Sequence, residues 1–144
     1  MNTPLVDRKP IDIAEIHSYH AHIYYEVGRT RADAELLRSW IAERFLVQLG
    51  AWHDEFVGPH SRSMYQVAFT PDLFPSFAPW LMLNRQGLAV LVHPNTDSPY
   101  EDHSAHALWL GEILPVRLND LPKSIRAIGE SHRAIVPNTA PHLN

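Results

Sequence analysis

The chain of 144 residues contains no cysteine. Disulfides, thiolate zinc sites and cysteine nucleophiles are excluded together, and any metal is left to imidazole and carboxylate. Positive charge is also scarce: 12 Lys and Arg stand against 16 Asp and Glu, giving a formal charge of −4 and a pI near 6.2. Such a surface offers little to a phosphate backbone, so nucleic acid is not an expected partner. No apolar run approaches the length of a membrane span, and the opening MNTPLVDRKPIDIAEI has charges and prolines where a signal peptide carries an apolar centre. No membrane partner and a cytoplasmic location are the expectations. Also missing are a G-x-S-x-G elbow, a glycine-rich phosphate loop and a dinucleotide fingerprint, and Ser61 and Ser63 near His60 lack the pattern of a triad.

What the chain does have is histidine, ten in all. Scattered singly over a surface they would mean little. Three of them, His93, His103 and His106, fall within Leu88–Glu112, which begins as an apolar strand, breaks into an acidic loop and ends as a second apolar run. Two more, His20 and His22, lie in HSYHAHIYY, an aromatic, β-favouring run in which alternate side chains share a face. His20, His22 and Tyr24 point one way there, and Ala21, Ile23 and Tyr25 the other. The two imidazoles are about 7 Å apart at the backbone, close enough to share one ion.

The size and the hydrophobic content of 45% suit one core. Residues 1–15, interrupted by Pro4 and Pro10, read as a mobile lead-in; residues 16–118 form the domain; residues 119–144, with Pro137 and Pro141 near the end, read as a partly disordered extension. Thr30 and Asp33 resemble a capping box before a helix in which Leu37, Trp40, Ile41 and Phe45 recur at helical spacing as far as Leu49, with Gly50 as the stop. AWHDEFVG and SRSMYQVAF flank a turn and predict a β-hairpin with His60 at its tip. A proline-rich approach leads to a helix over 77–85 closed by Gly87, and then to the strands LAVLVH and HALWLGE.

This order predicts an α+β fold, a ferredoxin-like sandwich with two helices on one face of a mainly antiparallel sheet of four to five strands. Its geometry is specific. The first strand is central and antiparallel to the fourth, so His93 approaches His17 or His20. The next strand doubles back and returns His103 to the same end, while His60 lies nearer His22 and Tyr24. Any one of these histidines could simply hydrogen-bond across a sheet. Four or five converging on one face favour a metal site, suited by ligand type to iron(II), zinc, manganese or copper. Asp97, Asp102 and Glu112 are possible ligands or orienting partners. Arg62 and Arg29 are candidates to bind a substrate carboxylate, and Tyr24, Tyr65 and Tyr100 to line an aromatic pocket.

The blocks YHAHIYY (19–25), GPHSRSMYQVAF (58–69) and LVHPNTDSPYEDHSAHALWLGE (91–112) resemble the DOPA 4,5-dioxygenase family of fungi and bacteria. The resemblance implies an iron(II) cofactor, extradiol opening of a catechol (DOPA-like) ring with dioxygen, and a small, often dimeric ferredoxin-like fold; another divalent metal such as zinc can occupy the same ligands in a crystal. The histidines that match the motifs are His20, His22, His60, His93 and His103. The expected metal ligands are His20, His93 and His103, with His22 a further ligand or adjacent to them; His60 and His22 are the expected catalytic residues, with Tyr24, Arg62 and Tyr65 against the substrate. His106 is not singled out by the pattern and is expected to be packed or hydrogen-bonded. The alternatives are a non-catalytic, dimeric metal- or ligand-binding module with the same face, and a histidine-rich dimer interface without metal.

Overall fold

The computed structural model describes residues 2–144. Strand β1 (Ser18–Tyr25) is central and antiparallel to both neighbours, β3 (Ser63–Phe69) and β4 (Val90–Asn95). The short β2 (Gln48–Leu49) pairs with β3, and β5 (Leu108–Leu110) with β4, so the sheet order is β2-β3-β1-β4-β5. Helices α1 (Arg31–Arg44) and α2 (Phe74–Asn84) complete the ferredoxin-like arrangement, and a single turn, α3 (Pro99–Asp102), sits between β4 and β5. No helix among the described residues is long and apolar enough to cross a membrane.

Strand periodicity determines which faces meet. Ala21, Ile23 and Tyr25 of β1 align with Val67, Tyr65 and Ser63 of β3, and this row packs beneath Leu37 and Ile41 of α1 and Phe77 and Leu81 of α2. The main core lies there. The opposite face is not simply open: Tyr24, Met64, Ala89, Leu91 and Leu114 form a second small core over one end, with Trp109 stacked on Tyr24 at 5.9 Å. The histidines occupy the other end.

Several boundaries differ from those the sequence predicts. Helix α1 ends at Arg44, because Phe45 turns extended (φ −126°, ψ 139°) to pack on Phe77 and Trp80, while Val47 is buried. The stretch beyond it, expected as helix, supplies β2. The Thr30 hydroxyl does not cap α1 but accepts from the Glu26 amide at 2.8 Å. Gly50 continues the pairing by donating to Gln66 O at 2.8 Å, and a Cβ there would lie 3.3 Å from that oxygen. The expected hairpin is reduced to one bridge, His53 with Met64, because Asp54 is drawn aside by Tyr25, Arg31 and Ser63. His60 is therefore not a hairpin tip; it sits in a loop and bridges Val116. Helix α2 begins at Phe74, three residues before the predicted start, after a 3-10 turn at Pro71–Leu73. At the C-terminal end, the Val136 amide donates to Gln48 Oε1, and Asn138 exchanges hydrogen bonds with Leu49 through its side-chain amide at 2.8 and 3.0 Å.

Candidate active site

The β1–β4 register places His20 directly opposite His93, as the antiparallel topology requires. His22 lies two residues further along the same face of β1, and its Nε2 stands 3.0 Å from Nε2 of His93. The other two histidines come from loops. His103 follows α3 and lies 4.0 Å from His93, centroid to centroid; His60 arrives beside His22 at 4.2 Å. Two trios, His20–His22–His93 and His22–His60–His103, each offer one ligand atom per residue within 4.8 Å of one another. His22 belongs to both, whereas the expected set of His20, His93 and His103 corresponds to neither.

Backbone and side-chain partners orient these rings. Nδ1 of His93 donates to Pro94 O and Nδ1 of His103 to Pro99 O, both at 2.8 Å, which leaves a lone pair on each Nε2. His60 Nδ1 shares a 2.7 Å hydrogen bond with the Tyr24 hydroxyl. Nδ1 of His22 is buried without a partner. The buried carboxylate of Asp102 accepts from Thr96 N and Oγ1 at 2.7 Å, bracing the loop that delivers His103. His106 is exposed in the turn after α3 and is hydrogen-bonded rather than packed, with Nδ1 3.2 Å from Asp102 Oδ1.

Burial is the main electrostatic influence. It lowers His20 and His60 to about 4, reinforced in both by repulsion from His103, and holds His22 and His93 well below their ordinary value. His103 is lowered for the same reason. All five imidazoles are thus neutral near pH 7, the form in which imidazole binds a metal.

The arrangement fits a metal ion. The 3.0 Å between the two ring nitrogens, a hydrogen bond in the absence of an ion, also matches two ligands at right angles on one ion with metal–nitrogen bonds of about 2.1 Å. The unpartnered His22 Nδ1 leaves this ring without the second anchor that His93 and His103 have. Beside the histidines a cavity of about 730 Å³ is lined by His20, His93 and His103 and by Gln66, Asn95 and His132. A separate apolar hollow of about 410 Å³ lies between the lead-in, near Ile11 and Ile13, and Tyr19 and Phe74.

Of the other expected site residues, Tyr24 reaches the cluster through His60. Tyr65 does not: it lies on the helix-facing side, fully buried, with its hydroxyl donated to Ala34 O. Arg62 is also elsewhere, with Glu112 at 3.4 Å and Glu26 at 3.8 Å. Glu112 is thereby taken, and Asp97 accepts from Ser124 and the Arg126 amide. Sequence reasoning missed Gln66 and the tail residue His132. Gln66 was within reach, since it shares a face with His22 once the strands are paired. Nothing in the local pattern of the tail foretold His132, which stacks on His17 at 4.8 Å.

The model of the Dopa 4,5-dioxygenase family matches residues 19–120, a stretch that contains all five clustered histidines. The chain belongs to this family. An uncharacterized 21.2 kDa protein of Botryotinia fuckeliana is 36% identical over 123 residues, 77% of this chain and 67% of that protein. The DOPA 4,5-dioxygenase of Amanita muscaria is 29% identical over 127 residues, 83% of this chain and 56% of that enzyme. The chain thus spans about two thirds of one curated relative and little more than half of the other. The crystal structure of a candidate dioxygenase from Nostoc punctiforme, 46% identical, matches with a TM-score of 0.74 over 76% of this chain and 94% of that one. Residues 121–144 lie outside the stretch that defines the Dopa 4,5-dioxygenase family.

Proposed function

We propose that this chain is an iron(II)-dependent dioxygenase that opens the ring of a catechol by extradiol cleavage. The observation that carries the reading is the clustering of five neutral imidazoles, from β1, β4 and two loops, in two trios that share His22, three of the rings (His20, His93 and His103) also lining a cavity large enough for a small aromatic molecule. Iron(II) held by imidazoles with open positions supplies a centre where catecholate and dioxygen meet and exchange electron density. In the overall reaction one ring carbon–carbon bond beside the diol breaks and both oxygen atoms enter the product, a yellow semialdehyde.

The chain's own contribution is positioning and proton handling. The trio of His20, His22 and His93 is the best-supported ligand set, since it contains the 3.0 Å nitrogen pair. Of the two roles expected for His22, catalytic residue or further ligand, this reading takes the ligand. His103, an expected ligand, lies against His93 and completes the imidazole wall. With its Nδ1–H donated to the Tyr24 hydroxyl oxygen, His60 keeps a lone pair on Nε2 and would accept a catechol hydroxyl proton there. Burial keeps His60 unprotonated before the substrate arrives. The second core around Leu91, Trp109 and Leu114 closes one end of the face against water.

A homodimer and a cytoplasmic location belong to the same proposal; the exposed Leu83 and Ile113 are apolar surface that a second copy would cover, and sedimentation equilibrium tests it. The decisive experiment loads protein made without a histidine tag with iron(II) under anaerobic conditions, then adds a panel of catechols in air. Yellow product with matching oxygen consumption is expected. Iron uptake without oxygen consumption would reduce the protein to a metal-binding module, and no uptake would remove the metal site altogether. His93→Ala should abolish iron binding with the fold intact, and a normal iron content in that variant would sink the ligand assignment.

A further inference from the structure

Beyond the stretch that matches the family, the chain does not leave the site. After Ile128 it turns at Gly129, whose φ of +76° suits glycine, and residues 130–136 then run over the cavity that holds the histidines. This strap is tied at both ends. Upstream, the Asp97 carboxylate accepts from Ser124 Oγ at 2.7 Å and the Arg126 amide at 3.0 Å, and the Ile125 amide donates to Asp97 O at 2.8 Å. Downstream, the Val136 amide donates to Gln48 Oε1 at 2.9 Å, and Asn138 and Thr139 bond to the backbone of Val47 and Leu49. In between, His132 stacks on His17 at the foot of β1.

The floor beneath the strap has a direction. His93, His20, Ala68 and Gln48 are aligned across β4, β1, β3 and β2 by the sheet register. Two strand spacings, about 10 Å, separate His20 from Gln48. The small side chain of Ala68 at the centre of that row leaves a trough leading away from the histidines. A catechol bound at the histidines would extend its ring substituent along this trough, under the strap. The charged residues of the strap on the cavity wall are Glu130 and Arg133. Glu130 sits at the upstream corner, where it also borders the hollow beside Asp97 and Arg126. Arg133 makes no ion pair among the described residues, while Arg62 pairs with Glu26 and Glu112.

We infer that residues 130–136 form the outer wall of the substrate site and that Arg133 selects catechols whose ring substituent ends in a carboxylate. The inference rests on the ring-opening reading above, and it moves carboxylate recognition from Arg62 to a residue outside the family stretch. An exposed arginine on the wall of a polar trough can provide a charge-assisted, fork-shaped contact for such a group.

The test is calorimetric binding to iron-loaded protein without oxygen, using 3-(3,4-dihydroxyphenyl)propionate and the uncharged 4-methylcatechol. The wild-type chain should bind the acid about tenfold more tightly, the effect of one charge-assisted contact at a partly solvated site. Arg133→Ala should erase that preference while leaving 4-methylcatechol affinity unchanged, and Arg133→Lys should retain part of it. Persistence of the preference in Arg133→Ala, or its absence from the wild type, overturns the assignment. If 4-methylcatechol still binds and is cleaved in air, only the role of Arg133 falls; if neither catechol binds, the ring-opening reading falls with it.

Discussion

Acid should unfold the metal-free protein well before its carboxylates are protonated. His60 is buried and lowered from 6.5 to about 4, so the folded state demands a neutral ring that the unfolded chain protonates at its ordinary pKa. Its contribution is fully present above about pH 6.5 and is lost as the pH falls toward the folded value. At about 1.4 kcal/mol for each tenfold difference in proton affinity, this one ring amounts to about 3 kcal/mol. His20, lowered to the same value, adds to the slope, and His22 and His93 act in the same direction. A domain of this size is stable by roughly 5–15 kcal/mol in all, so the histidines alone can consume much of that margin. Asp54 and Asp97, whose pKa values are lowered, withdraw their support only below their ordinary range, so the interval from pH 6.5 to 4.5 isolates the imidazoles. The assay is urea unfolding of chelator-treated protein, followed by tryptophan fluorescence at a series of pH values. The midpoint should fall by roughly 1–2 M across that interval, given the usual dependence on urea. His60→Gln should flatten the slope, and bound iron should move the loss to lower pH. A midpoint that does not change between pH 7.5 and 4.5 in metal-free protein would refute the claim that these rings are held neutral by burial.

Three substitutions probe other parts of the structure. Tyr24→Phe removes the 2.7 Å bond to His60 Nδ1 and should lower stability by about 1 kcal/mol, with a larger proportional loss in the rate of ring opening because the proton acceptor is no longer oriented. Leu81→Ala empties a fully buried position on the core-facing side of α2 and should cost about 2–5 kcal/mol by denaturant midpoint, with iron content per folded molecule unchanged. Gly111→Ala meets both a φ of +77° and an added Cβ 3.1 Å from Arg85 Nη2, so a loss of about 1–3 kcal/mol is expected in thermal unfolding; a neutral result would show that the turn relaxes freely.

Much of this was legible because strands carry a period of two. The alternation in HSYHAHIYY assigned His20, His22 and Tyr24 to one face before any partner was known, and β1 keeps that assignment. The β-α-β-β-α-β order put β4 against β1 and so brought His93 to His20. Helix and strand ends were less legible: Phe45 looks helical by spacing, yet its backbone is extended and its ring packs against the main core. The hairpin failed because Asp54 hydrogen-bonds to Tyr25, Arg31 and Ser63 instead of following a strand path.

The sequence by itself therefore determined the face, the strand order and the meeting of His20 and His22 with His93, since each follows from local spacing or from a small set of allowed connections, while the family resemblance added His60 and His103 to the set. Tertiary structure alone decided what the loops do. Tyr65 could not be separated from Tyr24 as a pocket residue until pairing put it with Ile23 on the helix side. The tail at 130–136 has no periodicity, and only its hydrogen bonds to Asp97, Gln48 and Val47, contributed by residues far away in the chain, carry it across the cavity. Loop paths are set by such distant partners, and a short window of sequence does not contain them.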